Sequence, residues 1–201
     1  ITDFGAHHID IAQWGMGTDL TGPVEMKNIS GKLDLTALYN TATEFSFECV
    51  YESGVVMHVA SPESKLMPEL EAQNAQAGST KAFDHVGVFF EGEGGKWIYV
   101  NRGKIQASSP DILRDKAREG EIHLYESKDH TDNFLSCIYD GKPTATPIEV
   151  SHRSISISHL ANIALRTGTA ALKWDPKTET IADNAAASKL LSKEWRKPWT
   201  L

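Results

Sequence analysis

"EFSFECVYESGVVMHVA", residues 44–60, carries the period that decides the fold. Phe45, Phe47, Cys49 and Tyr51 alternate with Glu44, Ser46, Glu48 and Val50. A strand sends successive side chains to opposite faces, so this alternation predicts a strand. Ser53-Gly54 makes a turn, and Val55, Met57 and Val59 return from it. A connection that short joins antiparallel neighbours, because parallel ones need a crossover of about a dozen residues or more.

The same pattern recurs on both sides. Upstream, Val24, Met26 and Ile29 predict an extended segment over residues 23–35. Downstream, Val86, Val88 and Phe90 lead into "EGEGG", and Trp97 and Tyr99 lead out, a second hairpin. "NRG" at 101–103 is another tight turn, followed by Ile105. Between the hairpins, "PESKLMPELEAQNAQAGSTKAF" at 62–83 is polar and irregular and predicts a long loop. "ALKWDP" at 171–176 predicts a short strand or extended link. Helices are expected over 4–16, 110–118, 127–139, 151–167 and 183–195, with Gly17, Gly141 and Gly168 among the stop signals. Strands in one block followed by helices in another predict an α+β domain with helices on one face of the sheet.

A chain of 201 residues suits one sizeable core, and a single domain over residues 1–201 is the expectation. The formal net charge of −7 argues against a nucleic-acid partner or an anionic membrane surface. No apolar run approaches the roughly 18–20 residues that span a bilayer. Cys49 and Cys137 form no framework of spacings and are expected as buried free thiols. Localisation, cytoplasmic or exported, is not decided by the sequence.

The densest titratable cluster is "ITDFGAHHIDIAQWG" at residues 1–15. On a helix at about 100° per residue, Asp3, His7, Asp10 and Trp14 share a stripe roughly 60° wide. A carboxylate one turn from a histidine can hold its ring and raise its basicity, as a general base requires. The indole offers a flat apolar wall for a sugar ring or a nicotinamide face. Periodicity leaves a plain alternative open: Asp3 caps the helix, His7 and Asp10 pair on the surface, and Trp14 is core. Adjacent helical residues diverge by about 100°, so His7 and His8 are not expected to share a metal.

"DFGAHHIDIAQWGMGTDLTGPVEM" resembles the start of the C-terminal domain of the Gfo/Idh/MocA oxidoreductases, in the bacterial branch with a D-x-G-x-H-x-x-D-x-x-x-W signature. "VFFEGEGGKWIYVNRG" is similar to that branch's F-E-G-x-x-G-W-I-x-V-x-R-G hairpin. "HTDNFLSCIYDGKPTATPIEVSHRSISISHLANIALRTG" resembles its late helical pair, and "LKWDPKTETIADNAAASKLLSKEWRKPW" its ending. The four stretches occur in the family's order. The resemblance implies a large open, mostly antiparallel sheet. It also implies a nucleotide-binding domain ahead of these residues and absent from them.

The same resemblance carries the expected function. It implies an NAD- or NADP-dependent oxidoreductase acting on a sugar, polyol or related hydroxyl, with this chain as its substrate-binding half, inactive alone. His7 and Asp3 match the family's catalytic D-x-x-x-H pair, and the family's E-K-P lysine has no counterpart here. Asp10, Trp14, His8 and Arg102 are further candidates for substrate contact. No cofactor-binding residue is expected in the chain, and no metal. "GEGG" at 92–95 lies in a hairpin, not between strand and helix, and so is no phosphate loop. A homo-oligomer through the sheet is expected, since Val50, Val56 and Phe89 add apolar residues to Phe45, Phe47 and Phe90 on both faces. The alternative is a non-enzymatic carbohydrate-binding or oligomerisation module.

Overall fold

A computed structural model describes residues 1–65, 67–68, 72, 86–101, 103–121 and 123–200. The chain is α+β, and every strand pair among the described residues is antiparallel. The helix α1 (Phe4–Gly15) comes first. The strands β1 (Glu25–Lys32), β2 (Glu44–Val50) and β3 (Val56–Ala60) follow, then β4 (Val88–Glu91), β5 (Trp97–Asn101) and β6 (Lys104–Ala107). Next come α2 (Pro110–Arg114), α3 (His130–Asp140) and α4 (Ile148–Thr167), then β7 (Leu172–Asp175), β8 (Thr180–Ala182) and α5 (Ala185–Ser188). The strands divide between two sheets, of order β3-β2-β1-β7-β8 and β4-β5-β6.

The hairpin over residues 44–60 forms as its alternation predicts, and its register builds the core. Met57, Cys49, Met26 and Leu172 stand opposite one another across four strands, all buried. Phe47, Trp174 and Ile181 lie in the same buried cluster, which α1 closes with Ile9 and Ala12 and α4 with Ile157, Leu160, Ala161 and Ala164. Directly opposed cross-strand side chains are the unit of sheet stability. Both cysteines are free and buried.

The outer face of the five-stranded sheet departs from expectation. Val50 and Val56 stand opposite each other at one end, but the next row is His58, Glu48 and Lys27. Glu48 meets Lys27 at 3.7 Å and His58 at 3.7 Å, and accepts a hydrogen bond from Asn28 Nδ2 at 2.9 Å. Lys32 pairs with Glu44 further along. Asn28 reaches Glu48 because β1 is bulged between Lys27 and Ser30, with Asn28 at φ 52. The outer face is therefore mostly ionic, and Phe47 turns inward.

Helix ends differ from the expected ranges for local reasons. The helix α4 starts at Ile148, because Pro147 ahead of it has a fixed φ and needs no donor there. The expected helix over 110–118 stops at Arg114, where Asp115 turns extended. The expected last helix, 183–195, shrinks to Ala185–Ser188, capped by Asn184. Leu190 and Leu191 then bond three residues back, and the residues beyond stay exposed, with no packing surface among the described residues. The strand β8 is an addition to the expected elements. It pairs with β7 through a turn in which Asp175 accepts from the Lys177 amide at 2.8 Å and the Thr178 hydroxyl at 2.8 Å. Most of the expected loop at 62–83 lies outside the described residues. No helix among the described residues is long and apolar enough to cross a membrane.

Burial pushes the Cys49 thiol and the Tyr51 phenol well above their ordinary values of 9.0 and 10.0. Both protons are kept in the folded chain at pH values where the unfolded chain releases them. Raised folded values mean that this stability is full below the unfolded pKa and drains away above it. Urea midpoints should therefore hold steady up to about pH 8 and decline above about pH 9, at most ~1.4 kcal/mol per pH unit for each group. Cys49→Ala should flatten the onset. A midpoint unchanged through that window would overturn the assignment.

Candidate active-site helix

The site is built on α1. Its C-terminus is set by Gly17, at φ 66, with the Thr18 amide donating to the Gln13 carbonyl at 2.9 Å. That six-residue closure is a glycine-terminated helix end. Gln13 is fully buried and fastens this end to the sheet. Its Oε1 accepts from the Tyr51 hydroxyl at 2.7 Å and from the Thr18 hydroxyl at 2.7 Å, and its Nε2 donates to the Thr21 carbonyl at 3.1 Å.

The two flanks are held as well. On one side a Cβ at Gly5 would lie 3.1 Å from Ser158 Oγ of α4, and Ser154 Oγ donates to Asp10 Oδ1 at 2.7 Å. On the other side Gly15 meets β4 so closely that a Cβ would sit 2.4 Å from Phe90 Cζ. Only glycine lets that helix and ring touch.

Asp3, His7 and Trp14 remain on the exposed face, with Trp14 47% exposed. Of the plain alternatives, Asp3 makes no side-chain capping bond, Trp14 is not core, and Asp10 bonds Ser154. No hydrogen bond or ion pair joins Asp3 to His7 among the described residues. His8 turns away from the stripe. Its Nδ1 lies 2.9 Å from the Phe4 carbonyl and its ring stacks on Phe4 at 6.4 Å. A carbonyl only accepts, so Nδ1 is the donor in this pair, and Nε2 is buried with no partner among the described residues. Arg102 lies outside the described residues. Ser154 carries no signal in the sequence, where it is one of four serines in "SHRSISIS".

No dinucleotide cradle is found among the described residues. The glycines of "GEGG" form a tight turn between β4 and β5, with Gly94 at φ 69 and Gly95 at φ 72, and run into a strand. A pyrophosphate site of the Rossmann kind needs a helix N-terminus after its glycines. No three His, Cys, Asp or Glu side chains among the described residues come together to hold a metal ion.

A family model described as the C-terminal alpha/beta domain of an oxidoreductase family matches residues 76–201, well over half of the chain. The chain belongs to that family, the Gfo/Idh/MocA oxidoreductases. Within it, residues 76–201 match the C-terminal α/β domain. The matched segment begins after α1, so the roles of Asp3 and His7 rest on their own geometry and on the resemblance of residues 3–14. No curated protein matches the chain, and no solved structure does.

Proposed function

We propose that this chain is the substrate-binding and catalytic half of an NAD- or NADP-dependent oxidoreductase acting on a sugar, polyol or related hydroxyl compound. The observation that carries the reading is the exposed Asp3, His7 and Trp14 stripe on a helix fastened along both flanks, in a domain of an oxidoreductase family. The nicotinamide supplies the hydride acceptor or donor, and its dinucleotide is held by residues other than the described ones. His7 takes the proton from the substrate hydroxyl, or returns it in the reverse direction. Asp3 orients the imidazole and stabilises its charged form once substrate draws the two together, since catalytic hydrogen bonds are often long until substrate is bound. Trp14 gives a sugar ring an apolar surface to stack on. Sugars and polyols bring hydroxyls for carboxylates and imidazoles to bind and C–H faces for an indole, so they match the side chains of this stripe.

Calorimetric titration of the 201-residue chain with NAD and NADP should give no binding in the micromolar range. The complete protein, a nucleotide-binding domain joined ahead of Ile1, should reduce NAD or NADP with a member of a panel of D-glucose, D-xylose and D-sorbitol. Micromolar cofactor binding by the chain alone would overturn the division of labour. A complete protein lacking any dinucleotide-binding domain would overturn the enzymatic reading itself.

A further inference from the structure

We propose that Ser154 is a positioning residue for His7, acting through Asp10; this rests on the acid/base reading of His7 above. Ser154 is 2% exposed on α4, and its hydroxyl donates to Asp10 Oδ1 at 2.7 Å. The two residues are 144 positions apart in the chain. The bond therefore reports how α4 holds α1, with no local helix geometry behind it. A hydrogen bond to a carboxylate is stronger than one between neutral groups.

The position of the bond gives it leverage. Asp10 lies three residues beyond His7, so the two side chains leave the helix roughly 60° apart. Ile9 and Ala12 are buried beside this tether, and apolar contacts carry little directional preference. The hydrogen bond is directional and selects one rotation of α1 about its axis. A rotation of about 10° moves a side-chain tip ~6 Å from the axis by ~1 Å. A misplacement of that size can cost about 10²-fold in rate. Ser158, one turn further along α4, packs at Gly5 with its hydroxyl buried and unpartnered, so it sets the approach of the two helices without supplying such a bond.

Amide hydrogen exchange on the 201-residue chain tests the tether. Ser154→Ala should speed exchange at Ile9–Gln13 about tenfold, and Ser151→Ala, an exposed serine of the same helix, should not. Turnover tests the positioning, in the complete protein with NAD or NADP and the panel compound among D-glucose, D-xylose and D-sorbitol that it oxidises fastest. Ser154→Ala should lower kcat by about 10- to 100-fold with a smaller change in KM. Asp10→Asn, which keeps the accepting oxygen, should retain several-fold more turnover than Asp10→Ala. The deciding comparison is made in the His7→Ala background. There Ser154→Ala should add no further loss, because its effect passes through the missing ring. A merely structural serine would lower both backgrounds alike, and that result overturns the proposal. So does unchanged exchange in α1. If His7→Ala itself keeps full turnover, the acid/base reading fails first and by its own measurement, and the positioning role falls with it.

Discussion

His7→Ala in the complete protein lowers kcat by about 10²- to 10⁴-fold, the range that a positioned general acid/base contributes, and leaves cofactor affinity near its starting value. The expectation comes from where the ring sits. His7 is exposed on a helix whose opposite face is buried in the core, so truncating it removes little packing and tests the proposed chemistry alone. Thermal unfolding of the variant should match the parent closely, since substitutions at exposed sites usually stay within about 0.5 kcal/mol. Asp3→Asn should lower kcat less, because Asn keeps an oxygen that can accept from the ring. His159→Ala removes an exposed histidine from α4 and is the control. Near-normal turnover in His7→Ala sinks the assignment.

Gln13→Ala should have the largest effect on stability. It takes the Gln13 acceptor from the buried Tyr51 hydroxyl and from the Thr18 hydroxyl, and the Gln13 donor from the Thr21 carbonyl. A buried polar group left without a partner costs about 1–3 kcal/mol, and a small cavity adds to that. A loss of about 3 kcal/mol in the unfolding free energy is expected from urea denaturation. That is a large share of the ~5–15 kcal/mol typical of a domain. Tyr51→Phe removes one donor and leaves Gln13 its bond from Thr18, so it should cost markedly less. Equal losses in the two variants, or a loss under about 1 kcal/mol in Gln13→Ala, would show that the hub does not hold the helix end.

Much of the fold is legible in the sequence because its signals are local. The strict alternation of Phe45, Phe47 and Cys49 sets both strand and facing, and Gly17, Gly141 and Gly168 stop three helices, each in the left-handed region. Signals fail where contacts with distant residues set the outcome. The strand β8 has three residues, too few for any period, and exists because Trp174 and Ile181 stand opposite each other over the core. Residues 189–195 have a helical pattern, but they stay exposed and no neighbour among the described residues receives their apolar side. The polar outer face of the sheet is hidden in the sequence, because Val50 and Val56 are visible there while the pairing of Lys27 with Glu48 is not. The stripe on α1 can be read from spacing alone. Its attachment cannot, since Asp10 and Ser154 are 144 positions apart and only the folded chain brings them together.

The contact of Gly15 with the Phe90 ring has a consequence for motion. With the Phe90 ring of β4 against bare backbone at one end, the Gln13 hub beneath and α4 alongside, α1 is fastened to both sheets and to α4. In the proposed reaction the sugar must be enclosed before a proton and a hydride can move without interference from water. That enclosure cannot come from a hinge in the helix that bears His7. It has to be carried by whatever part brings the nicotinamide. Under that proposal, opening and closing rates should be governed by the joint between this chain and the part that carries the nicotinamide, with His7 as the stationary anvil against which the substrate is held.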